Sequence, residues 1–291
     1  MALPHPFPSL TDTLAYFDKY DYPLTKEELE YWVSPVSPSS IPPLTSQDAK
    51  RSFGLRGGKK RGVIFKNGFY FLSNRQNLVA LRKQREKFSK AKWIIAKQVG
   101  ERLQKFPFVA AIFVTGALAM DNCPKDDDID LMIITYPNTL WITRFFIDLY
   151  LKLLKLRRLP NTEYRIMNTS NLICDNLWLD IKNLKFKIKN LYIAHEILQA
   201  KCIFDRGGIH YQFIKQNSWV KKYLPVAYKS QAQNSKIQIN SKSQFPNTNL
   251  VIRILNLVLF VAQWLYMLPK MTTERVGLGF AFFHPSANIR K

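Results

Sequence analysis

The stretch Val114-Thr-Gly-Ala-Leu-Ala-Met120, followed by an acidic turn and Asp128-Ile-Asp-Leu-Met-Ile-Ile134, decides how this chain is read. Residues 109–115 (VAAIFVT) and 129–135 (IDLMIIT) are apolar and rich in β-branched types, broken only by Asp130, so both are predicted to be strands. Side chains alternate faces along a strand, which puts Asp128 and Asp130 on one face, close enough to share a cation. A carboxylate inside an apolar strand is costly unless its charge is compensated. Mg²⁺ or Mn²⁺ suits such an oxygen pair and completes its shell with water and phosphate oxygens. Gly116 allows close backbone approach, and the small residues after it can open a helix whose first amides favour an anion. Thr115, Gly116 and Ala117 are therefore the candidate nucleotide-phosphate residues beside a metal pair of Asp128 and Asp130. An isolated Asp-x-Asp is more often a solvated loop. Here the preceding glycine, the ten residues between Ala117 and Asp128, and the apolar strands on both sides favour the catalytic reading.

Gly116-Ala117, ten residues, then Asp128-Ile-Asp130-Leu resembles the signature of the polymerase-β-type nucleotidyltransferases, usually Gly-Ser or Gly-Gly followed by Asp-x-Asp or Asp-x-Glu. The chain departs from it at Ala117, where the family most often has a serine hydroxyl for the triphosphate. The resemblance extends along most of the chain to bacterial nucleotidyltransferases with an N-terminal winged helix and a C-terminal helical segment. It implies an α/β (α+β) fold with a mixed-sheet core. The implied reaction is transfer of a nucleoside monophosphate from a nucleoside triphosphate to a hydroxyl acceptor, with pyrophosphate leaving and two metal ions roughly 3.5–4 Å apart. The family also supplies a third carboxylate from a later strand. Asn171–Asp180 (NLICDNLWLD) has strand composition and offers Asp175, favoured by its position inside the apolar run, with Asp180 as the alternative because an Asp closing a strand commonly starts a turn. If neither serves, the rival reading is a non-catalytic regulator that senses nucleotide and binds nucleic acid.

The 291 residues carry a formal charge of +22, and residues 50–106 hold 17 Lys or Arg against two Glu. Such a surface attracts polyanions, so nucleic acid is a candidate partner for 50–106, although a solvated helix face has the same composition. Cys123, Cys174 and Cys202 show no disulfide or zinc-ligand spacing, and residues 1–10 lack a secretory pattern, so the cytoplasm is the expected location.

Three regions are expected: a winged-helix-like domain over 1–76, a catalytic core over 77–190 led by a long basic helix, and a helical region over 191–291. In the first, Leu10–Tyr20 and Thr25–Val33 read as helices, the second opened by a Thr25/Glu28 capping box. Residues 34–43 read as a loop, Ser46–Phe53 as the start of a third helix, and Gly62–Leu72 as a hairpin turning at Asn67-Gly68. Further helices are expected over 77–105, 139–156, and from Leu191 toward Pro225. His195 and Glu196 lack the second histidine of a zinc motif, so His195 is read as packed. Arg157, Arg158 and Arg165 read as surface charge in preference to phosphate ligands. Residues 229–249 read as a flexible segment. Leu250–Leu268 is long enough to span a bilayer, but Arg253, Asn256 and Gln263 favour a helix packed on the core through Trp264 and Tyr266 over membrane insertion. Residues 280–285 are expected to tuck back as an apolar tail.

Overall fold

Thr25 accepts a hydrogen bond from the Glu28 amide while the Glu28 carboxylate accepts one from the Thr25 amide, so the expected capping box sets the start of the second helix. The computed structural model describes residues 10–33, 51–54, 60–157, 171–237, 248–272 and 274–283. Helices α1 (Leu10–Asp18) and α2 (Lys26–Trp32) precede strands β1 (Arg51–Gly54), β2 (Lys60–Lys66) and β3 (Phe69–Leu72), which form an antiparallel three-stranded sheet. Asn67 and Gly68 take φ of 52° and 83°, the left-handed pair that a type I′ hairpin requires. The helix expected over Ser46–Phe53 is corrected at its end: residues 51–53 pair with β2, where an available strand edge overrides weak local propensity. Residues 34–50, which include the expected loop, lie outside the described residues.

The chain continues through α3 (Leu78–Leu103), β4 (Val109–Val114), the single turn α4 (Gly116–Ala119), β5 (Ile129–Thr135), α5 (Leu140–Leu153) and β6 (Ile173–Asp180). Then come α6 (Leu191–Gln199), β7 (Lys201–Asp205), α7 (Ile209–Gln216), α8 (Pro225–Ile237), α9 (Leu250–Met267), β8 (Arg275–Gly277) and β9 (Phe280–Phe282). The molecule is thus mixed α/β, with a six-stranded sheet ordered β7-β4-β5-β6-β9-β8 in which only β5 and β6 run parallel.

Side-chain alternation splits the core between the two faces of this sheet. Ala111, Phe113, Met132 and Ile134 pack with residues of α1, α2, α6, α7 and α8, whereas Ile112, Val114, Leu131 and Ile133 pack with α3 and α5. Each of the larger side chains among these, fully buried, contributes on the order of 1.5–3 kcal/mol.

Three expectations are corrected here. The helix read from Leu191 toward Pro225 is interrupted by β7, which pairs with β4; five residues bounded by charges carry too little periodicity to announce a strand. Residues 229–237, read as flexible, belong to α8, whose buried Ala227, Gln231 and Ser235 recur every fourth residue but are small or polar. Gln231 donates to the Leu198 carbonyl, so the helix is held by hydrogen bonding as well as by apolar contact. Residues 238–247 lie outside the described residues. Finally, Trp264 and Tyr266 are exposed and do not anchor α9. The Asn256 side-chain oxygen accepts from the amides of Trp141 and Ile142 (2.8 and 3.2 Å), two otherwise unpaired donors in the first turn of α5. Gln263 donates to the Trp141 carbonyl at 2.9 Å, and the Phe260 ring packs on Trp141.

The basic residues before β4 divide between two duties. Arg75 pairs with Asp18 and Asp21, Arg82 with Glu28 and Glu86, and Arg85 with Asp21, which fastens α3 to the N-terminal helices. Lys83, Lys87, Lys90 and Lys97 are exposed along one face of α3. Arg157 is also structural, pairing with Asp148 and Asp175, while Arg158 and Arg165 lie outside the described residues.

Candidate active site

Gly116 takes φ of +63°, a left-handed conformation that side chains resist, and a Cβ at this position would collide with the Asp130 Oδ2. The Thr115 amide donates to the Asp130 carbonyl at 3.0 Å, so the turn after β4 is laced to β5 at the carboxylate. Gly116→Ala is expected to cost about 1–3 kcal/mol from the φ change alone, with the clash against Asp130 adding to it. A thermal melt checks this, and an unchanged melting temperature would contradict the tight approach.

Asp130 shares its strand face with Met132, and both line a cavity of about 430 Å³. Thr115, Gly116 and Ala117 form one wall, and Cys174 and Asn176 of β6 lie beside Asp130. The Asn176 side-chain amide donates to Asp130 Oδ1 at 2.8 Å. Tyr20, Tyr22 and Tyr192 add aromatic residues to the lining. Asn122 joins cavity and helices, since its amide donates to the Tyr20 carbonyl and its oxygen accepts from Arg85.

Glu196 reaches the same cavity from α6. Burial, then the negative charge of Asp130, pushes its carboxyl up to about 7, against a hydrogen bond from Tyr192 that lowers it. Two carboxylates that oppose each other's ionisation across one cavity are an arrangement in which a cation would relieve repulsion. Their oxygen donors fit a hard divalent ion. Among the described residues, no group of three or more His, Cys, Asp or Glu side chains is placed to hold a metal.

Of the residues singled out in the sequence, Thr115, Gly116, Ala117 and Asp130 are brought together at this cavity. Asp128 stands just before β5, its amide donating to the Asp127 carboxylate, and is not part of the cavity wall. Asp175 is a correction. Cys174 and Asn176 on either side of it face the cavity, so Asp175 points through the sheet, where it pairs with Arg157 at 3.3 Å and accepts from the Trp178 indole at 3.2 Å. The alternative, Asp180, caps the turn after β6, accepting from the Lys182 amide and the Asn183 side chain. Burial pushes the Asp180 carboxyl up, against these bonds.

Sequence reasoning missed Asn176 and the tyrosines, and weighed Glu196 only as part of an incomplete zinc motif. The available signal for Glu196 was a single acid in the otherwise uncharged or apolar helix LYIAHEILQ. Its neighbour His195 is packed, as expected: the ring stacks on Tyr16 at 3.9 Å and lies edge-on to Phe17, and burial pushes its pKa down to about 3. Comparison of the chain with family models, curated proteins and solved structures finds no match.

Proposed function

We propose that the chain is a nucleotidyltransferase of the polymerase-β type, with an N-terminal winged-helix-like module. The observation that carries this reading is the left-handed Gly116 turn pressed against the Asp130 carboxylate at the wall of a cavity large enough for a nucleotide. A strand, a glycine turn and a carboxylate on the neighbouring strand bring phosphate-binding amides and a metal-binding oxygen side by side. Asp130 would hold the divalent ion, which when bound neutralises phosphate charge, and Glu196 lines the same cavity. The Gly116 and Ala117 amides orient the triphosphate, and Tyr20 and Tyr192 offer aromatic contacts to base or acceptor.

In the reaction, the acceptor oxygen forms a bond to the α-phosphorus as the bond to pyrophosphate breaks. Glu196 takes the hydroxyl proton, the role for which a carboxyl near pH 7 is suited. A base must be ionised to act, so transfer is expected to rise as pH passes about 7. Glu196→Gln should lose that limb and about 10²–10⁴ in rate. The stability sign is opposite: a raised carboxyl favours the fold at low pH, and that contribution is lost as pH rises from the ordinary glutamate range through about 7. Glu196→Gln should therefore melt higher than wild type at pH 8; a lower melt would remove Glu196 from this role.

Incubating the protein with Mg²⁺, each α-phosphate-labelled ribonucleotide and a cell extract tests the assignment through transfer of label to an acceptor. Asp175, turned through the sheet, and the exposed lysines of α3 favour a second reading, a nucleotide-sensing regulator that binds nucleic acid. That reading is supported by bound nucleotide without label transfer, together with salt-sensitive nucleic-acid binding.

A further inference from the structure

Helix α9 is long and apolar enough to cross a membrane, yet Asn256 is its one buried residue. Ile252, Asn256, Leu259, Phe260, Gln263 and Met267 make an inward stripe at helical spacing, of which Leu259, Phe260 and Met267 join the core beneath. Most of the remaining circumference is apolar and open to solvent, with Leu257, Val258, Val261 and Leu265 each 43–56 % exposed. Ordinary surface helices bury their apolar stripe and show a polar face outward. A partner helix would cover one stripe of such a surface, whereas lipid chains cover it from every open side.

Charge points the same way. Residues 250–283 carry Arg253, Lys270 and Arg275 against Glu274 alone, and the last turn of α5 and the residues after it add the exposed Lys152 and Lys155, while Arg144 and Arg157 turn inward. Phe145, Phe146, Leu149 and Leu153 of α5 are exposed as well, so the helix that carries α9 also has an apolar outer face. An apolar helix flanked by cations matches an anionic bilayer surface. The helix stays in the plane, because spanning would strip Asn256 and Gln263 from α5 and place them with Arg253 in hydrocarbon.

We propose that α9 seats the protein in-plane on an anionic phospholipid bilayer, its outer face sunk into the acyl layer and its inner stripe still docked on α5. The proposal is independent of the transferase reading. The test is flotation of the full chain with vesicles of phosphatidylcholine alone or mixed with phosphatidylglycerol, comparing wild type with the double variant Leu257→Glu/Val261→Glu. Both positions are exposed, and an unchanged melting temperature confirms that the variant folds. Wild type is expected to float with the mixed vesicles and the variant to bind at least about tenfold more weakly. Wild type that floats with neither vesicle overturns the proposal. So does undiminished flotation of the variant, which would place the contact elsewhere. A lipid-free dimer in analytical ultracentrifugation that the double variant dissolves, without flotation of wild type, would identify the occupant as a second copy instead.

Discussion

Replacing Asp130 with Asn is expected to lower nucleotidyl transfer by at least about a thousandfold while the fold persists. The carboxamide keeps an oxygen for the Asn176 amide and nearly the same volume beneath Gly116, so the contacts that hold β5 to its neighbours survive. What disappears is the negative charge that a cation bound beside the triphosphate requires. The variant has a second readout. Asp130 is one of the two causes that raise Glu196, after burial, so removing its charge should shift the Glu196 titration down from about 7 toward the ordinary glutamate range. Measuring label transfer and the carboxyl titration together separates failed folding from failed chemistry. Full activity in the Asn variant would sink the transferase assignment. Lost activity with an unmoved Glu196 would sink the pairing of the two carboxylates.

The largest stability loss is expected at Arg82→Ala, about 3–5 kcal/mol. The guanidinium is buried and bidentate, donating to both oxygens of Glu28 at 2.8 and 2.9 Å, to Glu86 at 2.9 Å and to the Pro23 carbonyl at 2.7 Å. It also lies 3.9 Å from the centre of the Tyr22 ring. Truncation strands the Glu28 carboxylate, whose burial pushes its pKa up while Arg82 brings it down below the usual value. Lys at this position cannot supply the planar fork, so Arg82→Lys should recover less than half of the loss. The sign with pH follows from the lowered Glu28 carboxyl, which stabilises the fold above its unfolded pKa and loses that effect as pH falls through the folded value. The penalty of Arg82→Ala should therefore shrink in acid. Denaturant unfolding at pH 7 and pH 3 gives both numbers, and a loss equal at the two would show that Glu28 is not the partner that matters.

The same arginine shows where sequence reading reached its limit. The strands around Gly116 and Asp130, the capping box at Thr25 and the Asn67-Gly68 turn were legible because each is decided by neighbours within a few residues. The inward arginines were not: a helix written as leucines among lysines and arginines does not say which cation meets Glu28, since the partner lies 54 positions away. Asp175 failed for a related reason. Its place within an apolar run is visible in sequence, but its face depends on register against β5, and here the register shifts between Asp130 and Met132. Glu196 arrives from a helix that packs over the sheet, a placement fixed by tertiary contact alone. Strand β7 and helix α8 went unread because their inward residues are too few or too polar to mark a period.

The partner of β6 on its outer side is β9, with Leu177, Trp178 and Leu179 opposite Phe282, Ala281 and Phe280. A growing polypeptide makes these strands far apart in time. Until β9 emerges from the ribosome, β6 is a bare sheet edge bearing Trp178, and the amide row that will receive β9 is open to any other extended chain. The polar residues of the candidate site precede that closing strand, which brings Phe282 to the cavity wall, so a nascent chain would hold Asp130, Asn176 and Glu196 together on an unfinished sheet. Strand β9, the last among the described residues, rather than the Gly116 and Asp130 stretch, sets when this sheet can close, and this makes the interval before its synthesis a period of exposure to misassembly.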